Sequence, residues 1–285
     1  MNASQITFGV EFETLMPQSD ATPIGAYHCG LPVAWLPAGW KVEKDGSLKP
    51  GINQKGAEFV SPKLVGSAGL AEVMAAAASI AARGGAVNDS CGLHVTVTFP
   101  CFCSPVNVAA LARLISLVAN FEKAIYASTG THKRERAVYC KPLKQYRTPA
   151  AAADKAKFDR YHILNLYHLA RGQNRIEFRC FAGTLNATKV AGYIQLVLGL
   201  VSLALNATRC CQWDYAKPAG VAKSAWDRNG ALAGETDLVR LFYKLGWIKG
   251  HSNVVWGDLT GGGVAGLKSV KAKLLSLAQK YDQNS

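Results

Sequence analysis

The fragment GVEFE, at residues 9–13, sets Glu11 and Glu13 two apart within an apolar stretch. Residues two apart on a strand share a face, so both carboxylates point one way while Val10 and Phe12 point the other. Similar polar residues recur in apolar settings further on: Glu58 in GAEFVSP, His94 in CGLHVTV, and Glu177 with Arg179 in RIEFR. An unpaired charge in such surroundings costs several kcal/mol. Carboxylates and an imidazole converging on one sheet face suit a hard divalent cation. Mg²⁺ takes oxygen ligands, and nucleotide phosphates commonly complete its octahedron. Each residue alone also has a plainer reading: a glutamate on the wet side of a half-exposed sheet, a hydrogen-bonded structural histidine, a surface ion pair. The doubled acid on the first strand, in a chain short of acid, favours a site.

Strands must hold these residues. Period-two alternation predicts them over residues 8–14, 56–62, 91–99 and 175–181. In the third, Leu93, Val95, Val97 and Phe99 share one face, and His94, Thr96 and Thr98 the other. Pro62 stops the second strand, and Asp45-Gly46 marks a turn before it. Helices are predicted over residues 69–82, 106–126 and from 188 onward, with shorter ones near 236–245 and 264–281. Residues 131–159, with many basic residues, two prolines and an alanine run, read as a long, partly mobile connection that could close as a lid. Its Lys133, Arg134, Arg136 and Lys141 are candidates for phosphate or acidic-substrate contacts, with a solvated charged loop as the alternative. Strands with helices between them predict an α+β domain with a mostly antiparallel sheet.

Composition narrows the class. Of 285 residues, 49% are apolar and 18% charged, which describes a folded globular chain rather than a disordered one. The net charge of +13 favours polyanionic partners: nucleotides, nucleic acid or acidic small molecules. The segment MNASQITFGVEFET carries neither a basic n-region nor a signal-like apolar core, so a cytoplasmic protein is expected. Eight cysteines lack the density of a disulfide scaffold, and neither Cys101-x-Cys103 nor Cys210-Cys211 has zinc-site spacing; free thiols are expected. Cys91 lies an odd number of residues before His94, which puts the two on opposite faces and argues against a catalytic pair. The apolar run at residues 190–205 is shorter than the roughly 20 residues of a membrane span and contains Gln195 and Ser202, so it reads as a core helix. The C-terminal Lys268, Lys271, Lys273 and Lys280 read as a solvated helix face.

Taken in order, GVEFE, DGSL with GAEFVSP, CGLHVTV, and RYHILNLYHLARGQNRIEFRCFAGTLNATKV resemble the amidoligase family, part of the glutamine synthetase and glutamate–cysteine ligase superfamily of carboxylate–amine ligases. The resemblance runs over roughly residues 8–205. Its most specific element is the last, an E-x-R strand after a spaced Arg and Asn and before GTLN. It implies a glutamine synthetase-like half-barrel, a curved and mostly antiparallel sheet with helices on its outer face and Mg²⁺ and ATP on its concave face. By position it implies that Glu11, Glu13, Glu58, His94 and Glu177 hold metal. It also implies that Arg179 neutralises the transferred phosphate, and that Asp45, Arg160 and Asn165 contact nucleotide or substrate. Arg179, Glu177 and Glu58 would be the catalytic set. Residues 1–210 would form the catalytic domain, with 211–285 an unassigned extension packed on it.

The reaction so implied is formation of an amide or peptide bond between a carboxylate and an amine, through an acyl phosphate made from ATP. The substrates would be small molecules, peptide or protein side chains, or nucleobase-linked groups. Two alternatives stay open: a guanidino-kinase-like phosphotransferase on the same fold, and a basic nucleic-acid-binding protein whose acids are structural. The sequence shows no stacking-aromatic motif or recognition helix for the latter.

Overall fold

Alternating apolar and polar residues give the chain one sheet with two unlike faces. In a computed structural model, which describes residues 1–100, 104–209, 236–248, 254–259 and 265–283, the strands are β1 (Phe8–Pro17), β2 (Leu31–Pro32), β3 (Lys41–Glu43), β4 (Gln54–Val60), β5 (Gly92–Thr98), β6 (Leu164–Asn165) and β7 (Arg175–Ala182). They lie in the order β2-β3-β4-β1-β5-β7-β6, every neighbouring pair antiparallel. Val10, Phe12, Phe59, Val95 and Phe178 fill one face and are fully buried. The expected α+β class with an antiparallel sheet is what the chain adopts.

Helices α1 (Gly66–Ala82), α2 (Pro105–Ala127) and α4 (Ala187–Asn206) share that core, with Phe181 of β7 stacked on Tyr193 of α4 at 4.4 Å. By length and composition α4 passes as a membrane span, yet the chain encloses it with α1, α2 and the C-terminal α6 (Leu267–Gln283). It is a core helix. Gly199 lets it sit close to neighbouring side chains, since a Cβ there would lie 2.6 Å from the Trp256 ring. Caps set the helix starts: the Ser104, Asn186 and Thr236 side chains accept from Asn107, Lys189 and Val239 N–H, the last opening α5 (Asp237–Lys244).

The segment 131–159 departs from the expected mobile connection. Residues Pro149–Phe158 form α3, started by Thr148 accepting from Ala151 N–H and by Pro149 at the first helical position. The alanine run that resembled loop filler is a helix former. Residues before it are tied down as well. Leu143 and Lys144 N–H donate to Glu122 at 2.8 and 3.1 Å, Tyr126 donates to Cys140 C=O at 2.6 Å, and Lys141 bridges to His162. Strands β2, β3 and β6 arise where the sequence suggested only loop or turn; each is two or three residues long and needs its neighbour to exist. The Asp45-Gly46 turn lies within a ten-residue link from β3 to β4 rather than a tight hairpin. Cys101, Cys103, Cys210 and Cys211 lie outside the described residues, and Cys91, Cys140 and Cys180 are free and buried.

Glu122 on α2 is buried, and burial pushes its carboxyl up to about 7 despite the two backbone donors. A raised folded value disfavours the ionised form, so its contribution to stability is complete below the unfolded value near 4.5 and is lost as pH rises through about 7. Chemical denaturation should show wild type losing about 3 kcal/mol relative to Glu122→Gln across that window. A difference that stays flat with pH would mean the carboxylate is already comfortable when charged.

Candidate active site

Strand register assembles the polar face in three rows. Glu43 of β3, Glu58 of β4 and Glu13 of β1 stand directly opposite one another across three strands. Beside them Glu11 of β1 faces His94 of β5, and Thr96 of β5, Glu177 of β7 and Asn165 of β6 face one another. Residues opposed in this way have Cβ atoms about 5 Å apart, close enough for like charges to repel. Glu13, Glu43, Glu58, His94, Asn165 and Glu177 are all buried; Glu11 keeps about a third of its side chain exposed, at 32%.

His94 is the hub. Its Nδ1 lies 3.2 Å from Glu11 Oε2 and 3.3 Å from Glu177 Oε1, and its Nε2 3.5 Å from Glu13 Oε1. Glu177 is held from both sides, by Asn165 Nδ2 and by Arg179 Nη1, each at 2.6 Å. A register shift in the β5–β7 pairing between Leu93 and Val95 sets β7 residues Phe178 and Phe181 against them. This bulge lets both phenylalanines stay in the core while Glu177 and Arg179 both reach the cleft. The guanidinium is braced a second time by Nε donating to Tyr139 C=O at 3.4 Å.

Burial and mutual repulsion decide the charges. Burial first, then Glu11, Glu13, Asp45 and Glu43, push Glu58 up to about 10. Burial also raises Glu11, against the pull of Arg179 and Arg175. Burial, with Arg179 adding to it, lowers His94 to about 4, so the imidazole is neutral at pH 7. For Arg179 burial works against the charge, but Glu177, Glu13 and Glu11 outweigh it and hold its value up. The acids cannot all ionise without a cation among them.

The residues fit a divalent cation. Glu11, Glu58 and His94 bring one donor atom each within 4.8 Å of one another, and Glu13, Asp45 and Glu58 do the same. The sets are almost entirely carboxylate oxygen, the chemistry of Mg²⁺ or Ca²⁺ rather than of a soft metal. A neutral, buried His94 whose Nε2 makes no hydrogen bond among the described residues offers the free lone pair a ligand needs.

Of the residues singled out in the sequence, Glu11, Asp45, Glu58, His94, Arg160, Asn165, Glu177 and Arg179 line one cavity of about 350 Å³, and Glu13 lines the compartment adjoining it. Arg136 and Lys141 are not brought there. Arg136 is exposed, and Lys141 pairs with Asp159 at 2.7 Å. Lys133 pairs at 3.2 Å with exposed Asp89. Arg134 is the basic residue of that segment that turns inward, donating through Nη2 to Arg179 C=O. Sequence reasoning passed over Glu43, His28, His168 and Arg175, which also line the cavity. Glu43 had a signal, the alternation in K-V-E at residues 41–43, but a turn reading of WKVEKDGSL hid it.

The family model described as "Putative amidoligase enzyme" matches residues 4–155, more than half of the chain, and the protein belongs to that family. No curated protein matches it. Solved structures similar to it include a bifunctional glutathione synthetase from Pasteurella multocida, at 10% identity and TM-score 0.36 over 70% of this chain and 38% of that one. A novel glutamine synthase homolog is similar at 11% and 0.44 over 96% and 66% of the two chains. The complex between the prokaryotic ubiquitin-like protein Pup and its ligase PafA is similar at 11% and 0.44 over 98% and 64%. The chain thus spans between 38% and 66% of the length of these structures.

If the acid rows are a cation site, saturating Mg²⁺ should raise the wild-type Tm by about 5 °C or more. Glu58→Gln should abolish that rise yet leave the metal-free protein no less stable than wild type, because it removes one of several crowded acids. Scanning fluorimetry with and without Mg²⁺ reads both effects. A metal-free variant much less stable than wild type would mark Glu58 as structural.

Proposed function

We propose that this protein is an ATP- and Mg²⁺-dependent carboxylate–amine ligase working through an acyl phosphate. The observation that carries the reading is one cleft in which six acids, a neutral histidine and a braced arginine face a common space. Membership of the amidoligase family supports the reaction class.

A carboxylate does not acylate an amine at neutral pH, because its leaving group is poor. Attack by a carboxylate oxygen on the γ-phosphorus of ATP releases ADP and makes phosphate the leaving group. The amine then attacks the carbonyl carbon, and phosphate departs with the C–O electron pair. Mg²⁺, when bound, would supply the positive charge that neutralises the transferring phosphate. Glu11, Glu58 and His94, with Glu13 and Asp45, would hold it, and Glu177, 3.3 Å from His94 Nδ1, would complete the set. Arg179 has one nitrogen on Glu177 and one on Tyr139 C=O, which aims the rest of its fork at the transferring group. Asn165 fixes the far oxygen of Glu177, so the arginine cannot swing with its partner. Arg160, which lines the same cavity, would contact substrate or nucleotide.

Residues 1–210 would carry the chemistry, and 211–285 would serve as an extension laid on α2 and α4, where α5 and α6 pack. Substrates would be ATP, an acid and an amine, met in the cytoplasm.

Mass spectrometry of mixtures containing ATP, Mg²⁺, pooled carboxylates and pooled amines tests the reading. ADP release that needs both an acid and an amine, with a new amide, is the expected result. Glu11→Gln and Glu177→Gln should each lower turnover roughly a hundredfold or more while leaving circular dichroism unchanged. Phosphorylation of a guanidino compound without amide would replace the reading with phosphotransfer. Salt-sensitive binding of DNA or RNA without nucleotide turnover would replace it with a binding protein.

A further inference from the structure

A second compartment of about 500 Å³ opens beside the acidic floor, and its wall is basic and phenolic. Arg134 lines it while being only 6% exposed. Its Nη2 donates to the Arg179 carbonyl, but its Nε is buried without a hydrogen-bond partner, and no carboxylate among the described residues lies within ion-pair distance of it. Removing a guanidinium from water is costly, and the cost is normally met by a carboxylate and by filling its donors. Here no carboxylate does so, and the donors are filled only in part, at Nη2 and not at Nε. Arg160 shares the compartment and is also without a carboxylate among the described residues; its two terminal nitrogens each lie 3.4 Å from Tyr27 Oη, and its guanidinium lies 5.4 Å from the centre of the Tyr161 ring.

We infer that this compartment binds the carboxylate of an organic acid, with Arg134 at its inner end, Arg160 at its mouth, and the body of the acid against Tyr139 and Tyr161. The inference rests on the ligase reading for its role but, for its existence, on a buried arginine that has no carboxylate among the described residues. Charge separates carboxylate from phosphate. Glu13 and Asp45 border the same space, and Arg179 is already engaged by Glu177, so two arginines face two acids. A phosphate bearing close to two charges would meet the acids, whereas a single carboxylate matches one guanidinium fork. Tyr139 and Tyr161 pack edge to face, with centroids 5.3 Å apart, and Tyr139 is 45% exposed, so a planar group finds a free aromatic surface. The compartment adjoins His94 and Arg179, so an acid anchored there by one carboxylate can direct a second carboxyl or an amine at the cleft.

Calorimetry on the full chain without ATP or Mg²⁺ tests this with benzoate, propionate and inorganic phosphate as probes. Benzoate should bind saturably and more tightly than propionate, with phosphate failing to compete. Arg134→Met should weaken benzoate roughly tenfold or more, and Arg134→Lys should weaken it less. Because Arg134 is buried, exposed Arg160→Met provides the variant that folds in any case, and it too should weaken binding. In turnover assays both changes should raise KM for the acid and leave KM for ATP in place. Benzoate binding unchanged in both Met variants, absent from wild type, or displaced by phosphate would overturn the subsite. Binding that follows the arginines in a protein that forms no amide with any substrate pair would overturn the ligase reading and leave the subsite standing.

Discussion

Like charges opposed across hydrogen-bonded strands set the terms for the rest of this molecule. Glu43, Glu58 and Glu13 occupy one cross-strand row, Glu11 faces His94 in the next and Glu177 stands in the one beyond, close to the same imidazole, and each crowding of acids weakens the sheet that carries it. The opposite face must therefore supply the cohesion. It does so with large apolar side chains: Phe12, Phe59, Phe178 and Phe181 are buried there, with Trp40 stacked on Phe12 at 6.1 Å and Tyr193 on Phe181. Burying each such ring is worth about 2 kcal/mol or more. The helical layer is thus what allows the cleft to be electrostatically unfavourable when empty of cations. A site whose free state is under repulsion also gains most when a cation arrives.

The bulge in β7 solves a related problem. Strand alternation delivers Glu177 and Arg179 to one face but would then send Phe178 and Cys180 to the core and Phe181 back toward the cleft. The register shift keeps Phe181 against α4 and ends the run of cleft-facing side chains at Arg179. Arg179 N–H then donates to Ile163 C=O at 3.1 Å, so β6 with Asn165 is drawn alongside. Position, bracing and partner of the arginine follow from one inserted residue.

Much of this was legible because strands have a period of two. Glu11, Glu13, Glu58, His94 and Glu177 stood out as polar residues in apolar alternation, and register then did what alternation promised. Glu43 was not legible for the same reason in reverse: a strand of three residues is too short to establish a period, and its existence depends on β4 beside it. Arg134 could not be told from Lys133 or Arg136, since composition gives no hint of which basic residue in a turn faces inward. Pro149 and the alanines after it did carry a helix-start signal, but Thr148 as its cap was hidden among charged neighbours.

The selection of Arg134 is made from the far side of the molecule. Its neighbour Glu135 accepts from Lys123 Nζ of α2 at 2.9 Å and from the hydroxyl of Tyr281 on α6, while His132 meets the Tyr281 carbonyl at 3.0 Å and lies tilted against its ring with centroids 3.7 Å apart. Gly130, at φ +77°, opens this turn against Leu277 of α6, where a Cβ would come within 2.8 Å of its side chain. Held at Glu135 and His132, the turn has one side toward the helices and one toward the sheet, and Arg134 falls on the second. Helix α6 lies beyond the stretch that matches the family, yet it fixes the turn from which a buried guanidinium enters the cleft. The geometry of the basic wall is therefore a property of the whole chain, while the acidic floor belongs to the sheet and, through Asp45, to the link between β3 and β4.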